Sequence, residues 1–139
     1  MTRTLLFDLD GTLVDTEQQH YSAFEITFGG LGITFDEHNY ASRMLGQATT
    51  AIAADFLGHL GLEERMRVMD QKEECYRALL AELTPLPGVV EFLDLAERTG
   101  WRRAVVTNAP LANAEQVLAG AGIRDRFEGI VSAVDLADA

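Results

Sequence analysis

At 139 residues the chain has the size of one ordinary domain, and its 47% hydrophobic and 24% charged content excludes a disordered polymer. A formal net charge of −11 opposes binding to nucleic acid or to an anionic membrane surface, both of which need a basic face, yet it allows a small anion held locally. The first apolar run is short and broken by Asp8, which fits neither a membrane span nor a secretory signal, and the single cysteine, Cys75, excludes an internal disulfide; a cytoplasmic protein is expected.

In chain order, Leu5-Leu6-Phe7 reads as a continuous apolar strand of the kind covered on both faces, and Gly11 permits a sharp exit from it. Thr16 with Gln19 has the spacing of a capping box, opening a helix that carries Tyr21, Phe24, Phe28 and Leu31 until Gly29, Gly30 and Gly32 interrupt. Thr34 with Glu37 marks a second helix start. Thr49 or Thr50 caps a third helix with Ile52, Phe56 and Leu60 on one face. Residues 63–83 form the fourth and longest, with Met66, Met69, Tyr76, Leu80 and Leu83 as its apolar stripe. These aromatic and methionine stripes read as packed core. Cys75 lies in the fourth helix among Glu73, Glu74 and Tyr76, an acidic setting that does not favour a nucleophile.

Pro85, Pro87 and Gly88 then mark a boundary. Beyond it come a helix with Val89, Phe92, Leu93 and Ala96 stopped by Gly100, a buried strand over 102–107, a helix over 111–119 closed by Gly120 and Gly122, and a strand over 130–133. Alternating strands and helices of this length require a parallel sheet with right-handed crossovers. The expected fold class is therefore α/β: a Rossmann-like parallel sheet core, residues 1–15 and 85–139, with an all-helical module, residues 16–84, inserted after the first strand and joined near Asp15 and Pro85.

The chemistry is concentrated in Asp8-Leu9-Asp10-Gly11-Thr12. Open parallel sheets bind ligands at the carboxyl ends of their strands, so two carboxylates placed there are positioned for reaction. One can attack as a nucleophile. Its neighbour can hold a proton, because like charges at close range do not both ionise cheaply, and serve as general acid and then base. Thr107-Asn108 follows Ala104-Val105-Val106 in the same way and belongs to the same crevice, where a hydroxyl and the amides leading into the next helix suit phosphate oxygens. Alone, Asp-x-Asp would be an acidic turn and Thr-Asn a helix cap; their shared position at two strand ends favours the functional reading of both.

Asp8 to Thr12 resembles the first motif of the haloacid dehalogenase superfamily of phosphohydrolases, and Thr107 falls where that family places a phosphate-binding Thr or Ser. Dehalogenases carry a non-acidic residue where this chain has Asp10, so the resemblance implies phosphoryl transfer. It further implies that Asp8 forms an aspartyl phosphate and that Asp10 protonates the leaving alkoxide and then activates water. Gly11, Thr12, Thr107 and Asn108 would contact phosphate, and Mg²⁺ would lie between the Asp8 carboxylate, the Asp10 backbone carbonyl and the phosphate. The layout also matches members of the family with a helical cap at this position.

Within the cap, His20, Arg43 and Lys72 are the polar residues to weigh first as substrate contacts, each against the default of a purely structural role, which for Lys72 is a solvated helix face. Asp15, His20 and Lys72 resemble positions of the β-phosphoglucomutase branch. The cap Arg typical of that mutase would fall near Thr49, however, and Val106 to Glu115 with Lys72 to Leu86 resembles broad-range sugar phosphate phosphatases more closely. A phosphatase acting on a small phosphorylated metabolite is expected first; a mutase, or a non-catalytic phosphate- or partner-binding domain, is the alternative. The family normally adds a Lys and one or two acidic residues after later strands, none of which appears before Ala139, and Asp135 and Asp138 come too early in the order to replace them. A core truncated after its third strand leaves the first strand with an open edge, so a fragment, or a swapped or complementing chain, is expected.

Overall fold

The computed structural model describes residues 2–137. In chain order the elements are β1 (Thr4–Phe7), α1 (Glu17–Gly29), α2 (Glu37–Arg43), α3 (Thr49–Phe56), α4 (Leu62–Ala78), α5 (Val89–Arg98), β2 (Arg102–Thr107), α6 (Leu111–Gly120), a 3-10 turn at Arg124–Arg126, β3 (Gly129–Ser132) and α7 (Ala133–Ala137). They form two compact units, Met1–Glu17 with Leu80–Ala139, and Gln18–Leu79. Among the described residues no helix is long and apolar enough to cross a membrane.

The first unit is α/β. Its three strands are parallel in the order β1-β2-β3, with Leu6 opposite Ala104 and Ala104 opposite Gly129. Each connection moves one place in the same direction, so right-handed crossovers put both connecting helices on one face of the sheet. That face is the core: Val105, Leu93, Ala96, Ala114, Val117 and Leu118 are buried, and Phe7 sets its ring edge-on to Phe92 and Phe127 at 5.9 and 5.6 Å. The opposite face is open, with Leu6 67%, Val106 40% and Val131 42% exposed. The expectations that β1 is covered on both faces and that β2 is buried are thus corrected: an apolar run reports what a strand can bury, and among the described residues Leu6, Val106 and Val131 leave one face of this sheet open.

The second unit is all helical and closes around Phe24, Phe28, Tyr40, Met44, Ile52, Leu57, Val68 and Met69. Phe28, fully buried, meets the rings of Phe24 and Phe56 at 5.3 and 5.6 Å. Three sequence expectations shift here. Asp36, not Thr34, caps α2, accepting from the Asn39 amide at 2.8 Å. Helix α4 ends at Ala78 rather than 83. Its buried face is Val68, Met69, Lys72 and Tyr76, while Met66 stands exposed.

Candidate active site

At the carboxyl end of β1 the chain turns sharply. Leu9 is fully buried, so the carboxylates on either side of it fall on the outer side of the chain, Asp8 exposed and Asp10 half-buried. Gly11 takes φ +72°, a left-handed conformation that favours glycine, and its N–H donates to Val14 O at 2.8 Å. Thr12 N–H and Leu13 N–H both donate to Leu9 O. Val14 then bridges in parallel to Asp10 and in antiparallel sense to Pro85, and Leu86 N–H donates to Leu13 O at 2.9 Å. The loop is held on both sides. Because the Gly11 and Thr12 amides are engaged within it, a phosphate contact from this turn would come from the exposed Thr12 hydroxyl.

Both carboxylates are oriented. Asp8 Oδ1 accepts from the Leu9 amide at 2.8 Å. Asp10 Oδ1 accepts from the buried Thr16 hydroxyl at 2.6 Å. This second bond corrects the predicted capping box: Thr16 turns to Asp10, Asp15 Oδ1 accepts from Glu17 N–H at 3.1 Å at the start of α1, and Gln19 Oε1 is buried with no partner. The apparent capping hydroxyl is spent on Asp10 instead. Nothing in the local spacing distinguishes the two roles.

The end of the adjacent strand is also braced. Thr107 is buried, and its Oγ1 accepts from Ala109 N–H at 3.1 Å, which leaves the hydroxyl proton as a donor. Ser132 donates from Oγ to Ala109 O at 2.8 Å, and Asp135 Oδ2 accepts from Leu111 N–H at 2.8 Å, capping α6 from 24 residues away. Asp135 is therefore a brace for the loop carrying Thr107 and Asn108; Asp138 lies outside the described residues. Sequence reading missed Ser132 and Asp135 in this role because a cap supplied from a later element leaves no local pattern. Two shallow cavities of about 310 and 300 Å³ lie elsewhere, one lined by Arg3 and Trp101 and the other by Leu5, Phe92, Leu95 and Trp101. The carboxyl ends have the better chemistry, and position in the sheet outweighs cavity volume here.

In the helical unit the structure brings His20 and Lys72 together, 3.1 Å apart from Nδ1 to Nζ. Lys72 is buried, which corrects its default placement on a solvated helix face. Burial, then the Lys72 charge, lower His20 to about 4, while Glu73 acts in the opposite sense. Arg43 is not with them: its Nε and guanidinium nitrogen donate to both oxygens of Asp55 at 2.9 and 2.8 Å, and the group lies 4.4 Å over the Phe56 ring. That pairing holds the Asp55 carboxyl below the usual carboxylate range.

No cluster of three or more His, Cys, Asp or Glu able to hold a metal occurs among the described residues. The donors at the β1 end, carboxylates and a backbone carbonyl, are hard oxygens. They suit Mg²⁺, which keeps several waters and takes one or two carboxylates plus substrate phosphate rather than a full protein cage.

A parallel sheet bearing an Asp-x-Asp turn at its first strand, with a helical insert after it, defines a class, and residues 2–139 match the haloacid dehalogenase-like hydrolase family. The chain belongs to that family. It is 35% identical over 123 residues to protein CbbY of Cereibacter sphaeroides, covering 83% of this chain and 54% of that protein. It is also 32% identical over 133 residues to the fructose-1-phosphate phosphatase YqaB of Escherichia coli, covering 93% and 68%. The crystal structure of CbbY from Rhodobacter sphaeroides in complex with phosphate superposes with a TM-score of 0.80 at 31% identity, over 95% of this chain and 64% of that one. The chain thus spans between about half and two thirds of the length of these relatives.

Proposed function

We propose that this chain carries the nucleophile and the acid-base residue of a phosphomonoester hydrolase acting on a small sugar phosphate. The observation that carries the reading is the pair of carboxylates flanking buried Leu9 at the end of β1, each fixed by its own donor, beside Thr107 at the end of β2. Asp8 attacks phosphorus through the oxygen that does not accept from Leu9; the phosphorus–oxygen ester bond breaks, and Asp10 gives its proton to the departing alkoxide. Asp10 then takes a proton from water, whose oxygen attacks phosphorus, releasing phosphate and restoring Asp8. The Thr16 hydroxyl holds Asp10 in one orientation through both half-reactions, and Thr107 donates to a phosphate oxygen. Mg²⁺ held by Asp8 and the Asp10 carbonyl would supply charge neutralisation between the two anions.

Support for a sugar phosphate comes from relatives: YqaB is named for fructose 1-phosphate, and a CbbY variant was crystallised with xylulose-1,5-bisphosphate. A mutase reading draws on the β-phosphoglucomutase of Bacillus subtilis, 27% identical over 144 residues. The test is phosphate release from a panel of sugar phosphates with Mg²⁺, comparing the chain with Asp8→Asn. Steady release by the chain and none by the variant, with unchanged circular dichroism, is the expected result. Near-normal activity in the variant refutes the assignment, and turnover that depends on a bisphosphorylated activator selects the mutase. We also propose that the open edge of β1, beside exposed Leu6, pairs with a strand from a second copy. Sedimentation that stays monomeric at all concentrations would exclude this.

A further inference from the structure

The loop that follows β2 has few donors left for an anion. Ala109 N–H donates to Thr107 Oγ1 at 3.1 Å, Pro110 has no N–H, and Leu111 N–H, the first amide of α6, donates to Asp135 Oδ2 at 2.8 Å. Pro110 stands at the N-cap with no side chain able to accept, so the carboxylate that closes this helix comes from beyond β3. A phosphate at this strand end therefore depends on Thr107 and Asn108, and on which way the Thr107 hydroxyl is turned.

Thr107 and Ser132 are register partners across β2 and β3, and both are buried. Their hydroxyls hold opposite ends of one residue. Ser132 Oγ donates to Ala109 O at 2.8 Å and accepts from Asp135 N–H at 3.4 Å, while Ala109 N–H donates in turn to Thr107 Oγ1. The residue before a proline is held extended, so the Ala109 carbonyl cannot enter the α6 ladder and needs a donor from outside it. With both its C=O and its N–H engaged, Ala109 cannot swing its amide away from Thr107, whose β-branched side chain has few χ1 wells to choose from. One lone pair of Oγ1 is thereby taken, and the hydroxyl proton is turned away from Ala109.

We propose that Ser132 is a positioning residue for phosphate: acting through the peptide groups of Ala109, it fixes Thr107 Oγ1 as the acceptor for the Ala109 amide and so keeps the Thr107 proton for an anionic oxygen. That Thr107 meets a phosphoryl oxygen rests on the proposed function; that Ser132 governs Thr107 through Ala109 does not. Thr107, Ala109, Ser132 and Asp135 all lie in the α/β unit. Ser132 is not itself a ligand of the anion, because its proton is committed to Ala109.

The experiment follows the backbone amides of the 139-residue chain by nuclear magnetic resonance while inorganic phosphate is added in the presence of Mg²⁺. Ser132→Ala is expected to speed hydrogen exchange at the Ala109 amide about tenfold, to leave the Val105 amide in the middle of β2 protected, and to weaken phosphate about 5- to 10-fold, the share of one neutral hydrogen bond. Ser132→Thr, which keeps a hydroxyl on a residue suited to a strand, is expected to restore both to within about twofold of the native chain. Thr107→Val is expected to weaken phosphate at least as much, and adding Ser132→Ala to it to change the affinity no further, because the second hydroxyl acts only through the first. Equal Ala109 exchange in the native chain and Ser132→Ala overturns the positioning role, as does a double variant whose loss is the sum of the two single losses. If Ser132→Ala does not fold, Ser132→Cys, of similar shape and a weaker donor, takes its place in both comparisons. A native chain whose amides ignore phosphate overturns the proposed function at Thr107, and with it the ligand half of the proposal, while the exchange rates still decide whether Ser132 holds Ala109.

Discussion

The neutral His20 makes stability depend on pH in a window of its own. In the unfolded chain an imidazole ionises near 6.5, whereas in the folded helical unit His20 is lowered to about 4. Below 6.5 the unfolded state takes up a proton that the folded state refuses, so stability that is complete above that value is lost as the pH falls toward 4. The slope is about 1.4 kcal/mol per pH unit and the total about 3 kcal/mol. Asp36 and Asp55, held below the ordinary carboxylate range by hydrogen bonds from Asn39 and Arg43, add their own losses only in more acid solution. Urea unfolding at pH 7, 6 and 5 tests this. Ellipticity at 222 nm follows both units, while the single tryptophan, Trp101, reports the α/β unit, so the acid-sensitive transition should appear in ellipticity first. His20→Gln keeps an acceptor for Lys72 and should flatten the dependence between pH 6.5 and 4.5. A flat native curve, or an undiminished slope in the variant, would refute the reasoning.

Two further outcomes are expected. Thr16→Val removes the hydroxyl that donates to Asp10 at 2.6 Å; a hydrogen bond to a charged group is worth about 1.5–3 kcal/mol, so kcat for phosphate release should fall roughly 10- to 100-fold with little change in KM, and a fall under twofold would remove Thr16 from the site. Gly120→Ala would put a Cβ 2.7 Å from the Leu80 carbonyl, which should destabilise the α/β unit by about 1–3 kcal/mol through overpacking, measured by Trp101 fluorescence in urea.

The family and the fold class were legible because two short segments carry them: Asp8 to Thr12 after an apolar run, and Thr107 after another. Helix stops were legible where glycine takes a left-handed turn, as at Gly100 and Gly122. Helix starts were less so, because Thr16 and Thr34 look like caps in one dimension, yet Thr16 is recruited by Asp10 and Asp36 is the true cap of α2. Lys72 was misread because charge argues for solvent until its partners are known: Glu73 and Tyr76 share α4 with it, but His20 and the ring of Phe24 reach it only when α1 packs against α4. Exposure of Leu6 and Val106 could not be read either, since hydrophobicity shows a residue's preference and not whether a neighbour is there to satisfy it.

The antiparallel bridge from Val14 to Pro85, with the bond from Leu86 to Leu13, means that the sheet seals its own loop before the inserted helices begin. Whatever is threaded between those two points is a cassette: lengthening or shortening it alters the closure entropy by only about 0.6 kcal/mol per doubling and leaves the strand register untouched. Such a scaffold can exchange its inserted helical unit wholesale while the carboxylates at its strand end stay where they are.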